Sequence, residues 1–274
     1  LIKFGGGLAL TKMYSGSHSD RSTADIFKFY DDSEVIYEAL EENPADFLML
    51  VSGFDKNRPY YDRYYVNMKH WSRKYDHEQG GMSDTRLMIR LNALARVFSG
   101  GVYEVHILFW CFIALIGLCL IYHSFIYWFD DRPWWLATSV FLIPSVLAWS
   151  SAVLKEPFLL LFTGMLLYPV MSWFAGDGRF SRIKYLILAI PGFYLLKVYV
   201  LFAFVPALIS LLLVRKWRMS KVVAVNLLVA AICILLALNL FRVIPGFDLM
   251  KRMADIQQDM LRMAFYSGAE SALD

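Results

Sequence analysis

Residues 105–128 read VHILFWCFIALIGLCLIYHSFIYW, a run without a single aspartate, glutamate, lysine or arginine. As a helix it measures about 36 Å, enough to cross a hydrocarbon core about 30 Å thick, and no water-soluble domain needs an apolar run of that length. Further apolar runs follow over about Trp134–Val153, Pro157–Phe174 and Val222–Phe241. Tyr127, Trp128, Trp134, Trp135, Trp173 and Trp217 stand at their ends, where aromatic rings settle at the headgroup level. The fold class that follows is all-α: a polytopic integral membrane protein whose transmembrane helices meet membrane lipid.

Of the 274 residues, 58% are hydrophobic and 16% aromatic, more than an ordinary soluble domain carries. The excess is uneven, so the chain divides near Glu104. Residues 1–104 read as an external, mostly helical polar segment and 105–241 as the transmembrane helical region. Residues 242–274 read as an external segment with an amphipathic helix over about Asp248–Tyr266. The opening stretch, 1–10, is compatible with the tail of a truncated spanning helix, and Leu1 in place of methionine with a fragment of a longer chain.

A net charge of +3 without a long basic cluster argues against nucleic acid as a partner. Cys111, Cys119 and Cys233 all lie in apolar runs, where cysteine behaves as a small hydrophobe, so neither a disulfide framework nor a zinc site is indicated. The five histidines form no zinc-ligand pattern and no glycine-rich phosphate loop follows a strand. No cofactor and no metal are expected.

Charge sets the topology. The apolar stretch between Lys184 and Arg215 is too long for one straight crossing and contains Pro191-Gly192 and Lys197. It predicts two short helices, about Tyr185–Leu196 and Val198–Val214, in a re-entrant-like hairpin turning near Lys197. That arrangement puts Arg179, Arg182 and Lys184 on the same side as Arg215, Lys216, Arg218 and Lys221, and the positive-inside rule makes that side cytoplasmic. Residues 1–104, the Lys155-Glu156 turn, Lys197 and residues 242–274 then face outward.

Ser22 to Glu42 has the pattern of a helix, with Ser22 and Thr23 as caps and Asp25 in the first turn before Phe27, Phe29 and Tyr30. Its dense acids read as a solvated face or, for Asp25, as a functional carboxylate. A second helix is predicted over Thr85–Ser99, capped by Asp84 and stopped by Gly100-Gly101. It sets Arg86, Arg90 and Arg96 opposite an apolar face. These cations either lie among lipid headgroups or, for Arg86 and Arg90, one turn apart, hold a phosphate. Lys155 and Glu156 cap a tight turn before Pro157 or face a polar cavity; Lys197 snorkels or faces the same cavity.

Four stretches, taken in order, carry a resemblance: Ala24-Asp-Ile-Phe-Lys-Phe-Tyr-Asp-Asp-Ser33, Thr85-Arg-Leu-Met-Ile-Arg-Leu-Asn-Ala-Leu94, Phe141-Leu-Ile-Pro-Ser-Val-Leu-Ala-Trp-Ser150 with Lys155-Glu156, and Lys197-Val-Tyr-Val200. Together they resemble a family of polytopic bacterial membrane proteins, many from Bacteroidetes, related to type C glycosyltransferases. The resemblance implies a membrane glycosyltransferase of cell-envelope polysaccharide biosynthesis. Such a transferase moves a sugar from a polyprenyl-phosphate donor to an envelope glycan or lipid acceptor at the outer face of the inner membrane. It also implies a catalytic acid in the first external loop, which Asp25 matches, with Ala24 where a glycine is commoner and Ile26 where some relatives carry a second acid.

Sugar transfer to a hydroxyl needs a carboxylate to take the proton and cations to stabilise the departing lipid phosphate. Asp25 is the candidate for the first role, and Arg86, Arg90, Lys155 and Lys197 for the second, with Glu156 and Tyr30 as further substrate-binding residues. The alternatives are a polysaccharide polymerase and a non-enzymatic component of an envelope complex or transporter.

Overall fold

The computed structural model describes residues 1–17, 21, 24–54, 60, 63–71, 84–176, 182–217 and 222–239. Among them every regular element is helical. The polar segment forms α1 (Ile2–Ser17), α2 (Asp25–Glu42), α3 (Pro44–Ser52) and α4 (Asp84–Ser99), with a short 3₁₀ turn at Tyr65–Asn67. The residue capping α2 is Ala24, which makes no side-chain cap bond, and the expected caps Ser22 and Thr23 lie outside the described residues. Asn43 ends α2 and starts α3, its side chain accepting from the Ala45 N–H with Pro44 in the first turn. Asp84 takes the Thr85 N–H at 2.8 Å, and α4 runs into Gly100 and Gly101, whose positive φ of 58° and 78° suits glycine.

α2 and α4 pack together through Ile26, Ile36 and Ala39 against Met88, Ile89 and Ala93, all buried. This overturns the expected placement of the α4 arginines. Arg90 and Arg96 are buried, at 8% and 4% exposure, while Leu94, Val97 and Phe98 face outward. The guanidinium groups find backbone carbonyls and aromatic faces inside the protein, so they have no need of lipid headgroups.

The first apolar run forms α5 (Tyr103–Phe125), prolonged by a 3₁₀ turn at Ile126–Phe129. The second does not cross as one helix. It is broken into α6 (Pro133–Phe141) and α7 (Pro144–Trp149), followed by a non-helical stretch over 150–155. Pro144 has no N–H for the helical ladder and forces Ile143 out of helical geometry, to φ −62° and ψ 122°, which corrects the expectation of a span over Trp134–Val153. The third run forms α8 (Glu156–Phe174) as expected.

α5 and α8 meet at two glycines. A Cβ on Gly117 would lie 2.5 Å from the Leu161 nitrogen, and one on Gly164 would lie 2.4 Å from the Gly117 carbonyl oxygen. Backbones this close gain dispersion that lipid tails cannot match. α9 (Ile183–Leu196) packs on α8 and also touches α4, with Gly192 seated against the Phe162 ring. The helix breaks at Lys197, as expected, with φ −150° and ψ 81°.

Beyond the break, α10 (Val198–Trp217) has 20 residues, and its part Val198–Arg215 is long and apolar enough to cross a membrane. The expectation of a half too short to cross is corrected on that point. Tyr103–Phe129 and Glu156–Phe174 satisfy the same criterion. The chain divides into two compact units, Leu1–Val198 and Tyr199–Asp274. The second contains most of α10 and α11 (Val222–Asn239), joined by a hydrogen bond of 3.0 Å from the Ser210 hydroxyl to Asn226 Oδ1. Over the described side chains α11 is apolar from Val222 to Leu236. Residues 240–274, with the helix expected over Asp248–Tyr266, lie outside the described residues.

Composition changes at Glu104 but packing does not, because Met88 and Ile89 of α4 share one core with Ile107 and Trp110 of α5. The glycine contact yields a first prediction. Gly164→Leu should destabilise the protein by about 1–3 kcal/mol or more through overpacking, read as a lower melting temperature in detergent. Gly5→Ala, where an added Cβ meets nothing within 4 Å, should melt with the parent. Equal melting of all three proteins would remove the close crossing.

Candidate functional site

Residues 150–154 are buried outside any regular helix, so their backbone groups need partners elsewhere in the protein. The Trp110 indole donates to the Leu154 carbonyl at 3.0 Å, and the Cys111 thiol lies 3.7 Å from the Ser151 carbonyl. α1 lies against the same stretch. A Cβ on Gly7 would be 2.4 Å from the Ser151 carbonyl oxygen, and the Lys3 ammonium donates to the Ser150 hydroxyl.

Held in this way, the stretch delivers Lys155 to the start of α8. The Lys155 ammonium contacts Asp84 Oδ2 at 2.6 Å and lies 5.0 Å from the Phe29 ring centroid. Asp84 therefore has two tasks, since its other oxygen caps α4, and the N-termini of α4 and α8 are clamped together. Glu156 follows in the first turn of α8, where a carboxylate is favoured.

Arg86 and Arg90 continue from this clamp along α4. The Arg86 Nε donates to the Trp71 carbonyl at 3.1 Å and the Arg90 Nε to the Leu50 carbonyl at 2.8 Å. Their guanidinium carbons stand 5.6 and 4.9 Å from the centre of the Trp71 ring, which itself stacks on Tyr65 at 3.8 Å. A Cβ on Gly53, whose φ is 77°, would fall 2.9 Å from Arg90 Nη1. The structure thus places Lys155 on Asp84 and Phe29 but directs Arg86 and Arg90 to Trp71 and Leu50, so the candidate cations are not brought to one point. Leu196, the last residue of α9, is buried in the core that contains Phe29 and Phe158, and Lys197 closes α9 by donating its N–H to Phe193.

Asp25 and Tyr30 are placed elsewhere. The Asp25 side chain is 71% exposed at the start of α2 and meets the Lys28 ammonium at 2.5 Å; it touches neither Lys155 nor the α4 arginines. Tyr30 is buried at the other end of α4. Its hydroxyl donates to the Gly101 carbonyl, its ring meets Tyr103 and His106 edge-on at 4.9 Å each, and the Arg96 guanidinium carbon lies 4.0 Å from its centre. Burial pushes the Tyr30 phenol above its ordinary pKa, the nearby Arg96 charge opposing that shift.

Three polar groups not assigned to the candidate site hold this part together. Arg96 donates from Nε to the Ser33 hydroxyl at 2.8 Å and from Nη2 to the Tyr30 carbonyl at 2.9 Å. His106, fully buried, has Nδ1 2.9 Å from Asn92 Oδ1 and Nε2 2.9 Å from the Ser99 hydroxyl. The Asn92 amide nitrogen is committed to the Met88 carbonyl, so its oxygen accepts, which places the proton on Nδ1 and leaves Nε2 to accept from Ser99. Asp32 accepts the Lys69 and His70 backbone N–H groups at 3.0 and 2.6 Å. Burial raises its pKa against the pull of those two bonds. The readable signal was the polar stripe Asn92, Arg96 and Ser99, spaced by four and three along α4.

Among the described residues no group of three or more histidine, cysteine, aspartate or glutamate side chains is placed to hold a metal ion. The clamp is testable without a substrate. A double-mutant cycle over Lys155→Met and Asp84→Asn should return a coupling of about 0.5–3 kcal/mol in unfolding experiments. Strictly additive effects would mean that the two groups do not support each other.

No protein-family model, no curated protein and no solved structure matches this chain.

Proposed function

We propose that this chain is a multi-pass glycosyltransferase of the bacterial inner membrane. In this reading it moves a sugar from a polyprenyl-phosphate donor to an envelope glycan or lipid acceptor at the outer face. The observation that carries the reading is the clamp at the head of α8. There Lys155, at the start of the apolar helix α8, meets Asp84 at the start of α4, with Arg86 two residues further along. A lipid phosphate approaching from the bilayer meets cations at the depth where its own charge sits.

Asp25 fits the second half of the reaction. It lies at the exposed start of α2, four residues before Phe29 and apart from the Lys155–Asp84 pair in this structure. The acceptor oxygen attacks the anomeric carbon and passes its proton to the Asp25 carboxylate. The bond from that carbon to the phosphate oxygen breaks, and the charge left on the lipid phosphate is stabilised by Lys155, with Arg86 as the further cation. Because Asp25 is open to solvent, a bulky glycan can reach it.

Reconstituted protein supplied with labelled polyprenyl-phosphate sugars tests the chemistry. Asp25→Asn should lower transfer by about 10²–10⁴-fold while the melting temperature stays near the parental value. Asp131→Asn, in the turn after α5, should transfer at the parental rate. Parental transfer by Asp25→Asn rejects the assigned acid, and no transfer from any such donor by the parent favours the non-enzymatic alternative. Topology has its own test: with the native cysteines replaced by alanine, a cysteine at Ser52 should react with an impermeant thiol reagent from outside and one at Ser181 should not. The reverse pattern would turn the site toward the cytoplasm.

A further inference from the structure

The outer side of α4 carries no charge. Between Leu87 and Val102 the only charged residues are Arg90 and Arg96, and both are buried, one against the Leu50 carbonyl of α3 and the other against Tyr30 and Ser33 of α2. Outward stand Leu94, Val97 and Phe98, the last 79% exposed, followed by the exposed Val102. Leu87, Leu91, Leu94 and Phe98 are spaced by four, three and four residues, so they form one stripe along the helix. Leu87 and Leu91 sink part of their surface into the core, and the stripe opens outward toward the C-terminal end of α4.

The membrane helices fix the level of this stripe. Trp110 meets Phe158, Gly117 meets Leu161 and Leu120 meets Gly164, so residue numbers rise together and α5 and α8 run parallel, with their first turns at the same end. α4 bridges those first turns. Its N-terminal Asp84 holds Lys155 just ahead of α8, its C-terminal end runs through Gly100-Gly101 into α5, and Asn92 and Ser99 both reach His106 in the first turn of α5. At His106 the exposed side of α5 changes from the charge of Glu104 to Leu108, Phe112 and Leu115. The apolar stripe of α4 therefore stands where the apolar stripe of a membrane helix begins, with Val102 between the two.

An exposed apolar patch on a cap that is elsewhere dense in acids marks an interaction surface. Its continuity with the outward side of α5 names the occupant, because that side of a spanning helix meets acyl chains. A helix lying alone on a bilayer sets its cations among headgroups. α4 has its polar side covered by α2 and α3, and only the opposite side is left for lipid.

We propose that the outer face of α4 is a lipid-binding surface. Leu94, Val97 and Phe98 enter the upper acyl region of the leaflet that surrounds the heads of α5 and α8. The contact reads no headgroup charge, since no cation of α4 faces that way. Seated there, α4 holds its own N-terminus, and with it the Asp84–Lys155 pair, at the boundary of the bilayer. This anchorage is independent of whether the chain transfers sugar.

The test uses the full chain in nanodiscs holding one copy each, with Cys119 and Cys233 replaced by alanine and the buried Cys111 retained. Nitroxide labels on Leu94→Cys, Phe98→Cys, Leu108→Cys and Glu38→Cys are read by power saturation against oxygen, which concentrates in acyl chains, and against a water-soluble nickel chelate. At 94 and 98 oxygen should be the stronger relaxer, as at 108, while at 38 the order should reverse. The pattern should be the same in phosphatidylcholine and phosphatidylglycerol discs. A melting temperature near the parental value shows that each labelled chain is folded, and Val97→Cys replaces a position that fails this check. Nickel relaxing 94 and 98 as strongly as 38 would put the face in water and overturn the proposal. Shielding from both reagents would mean a protein cover, and oxygen access in phosphatidylglycerol alone would mean attraction by headgroup charge; either result overturns it as well.

Discussion

A buried carbonyl has no water to bond, so the non-helical, buried stretch over 150–154 has to be satisfied by protein. Much else in the first unit follows from that requirement. The indole of Trp110 and the thiol of Cys111 face it from α5, α1 approaches it through a glycine, and Lys155 leaves it to pair with Asp84 on the polar cap. Breaking the second apolar run at Pro144 leaves the buried non-helical stretch whose carbonyls Trp110 and Cys111 face.

The polar cap is fastened to the membrane helices by charge as well as by apolar packing. Arg90 and Arg96 are buried in a place where a helix lying on a membrane would expose them, and each spends its Nε on an uncharged oxygen of another segment. Hydrogen bonds to charged groups contribute about 1.5–3 kcal/mol each, more than a surface ion pair, and removing one partner leaves a buried polar group unmatched. These arginines therefore join α2, α3 and α4 into the surface on which Lys155 docks. On the proposed reading the same residues would serve function and architecture, and function has to be read through variants that keep the fold.

The runs that became α5 and α8 were legible because hydropathy alone decides a crossing, and the break at Lys197 because a cation inside an apolar run needs a reason. The interruption at Pro144 was written in the residue itself but was hidden by the uniformly apolar flanks. Periodicity separated the two faces of α4 correctly and assigned them wrongly: it shows that arginines and leucines lie on opposite sides, not which side another part of the chain will cover. The Gly117 and Gly164 contact was invisible, since nothing in one helix names the residue it will meet on another. For the candidate site, the cations of α4 and the Lys155-Glu156 turn were seen separately, while their meeting through Asp84 needed three dimensions. The separation of Tyr30 from that group was likewise beyond sequence, since Phe29 and Tyr30 are neighbours that face different clusters.

The central claim is that the head of α8 receives a lipid-linked phosphate, and photocrosslinking addresses it most directly. A short-chain polyprenyl phosphate with a photoreactive group next to the phosphate should label peptides containing residues 84–90 and 150–156, and Lys155→Met should abolish that labelling. Labelling spread over the outward-facing surfaces of α6 and α10, indifferent to Lys155→Met, would contradict the account.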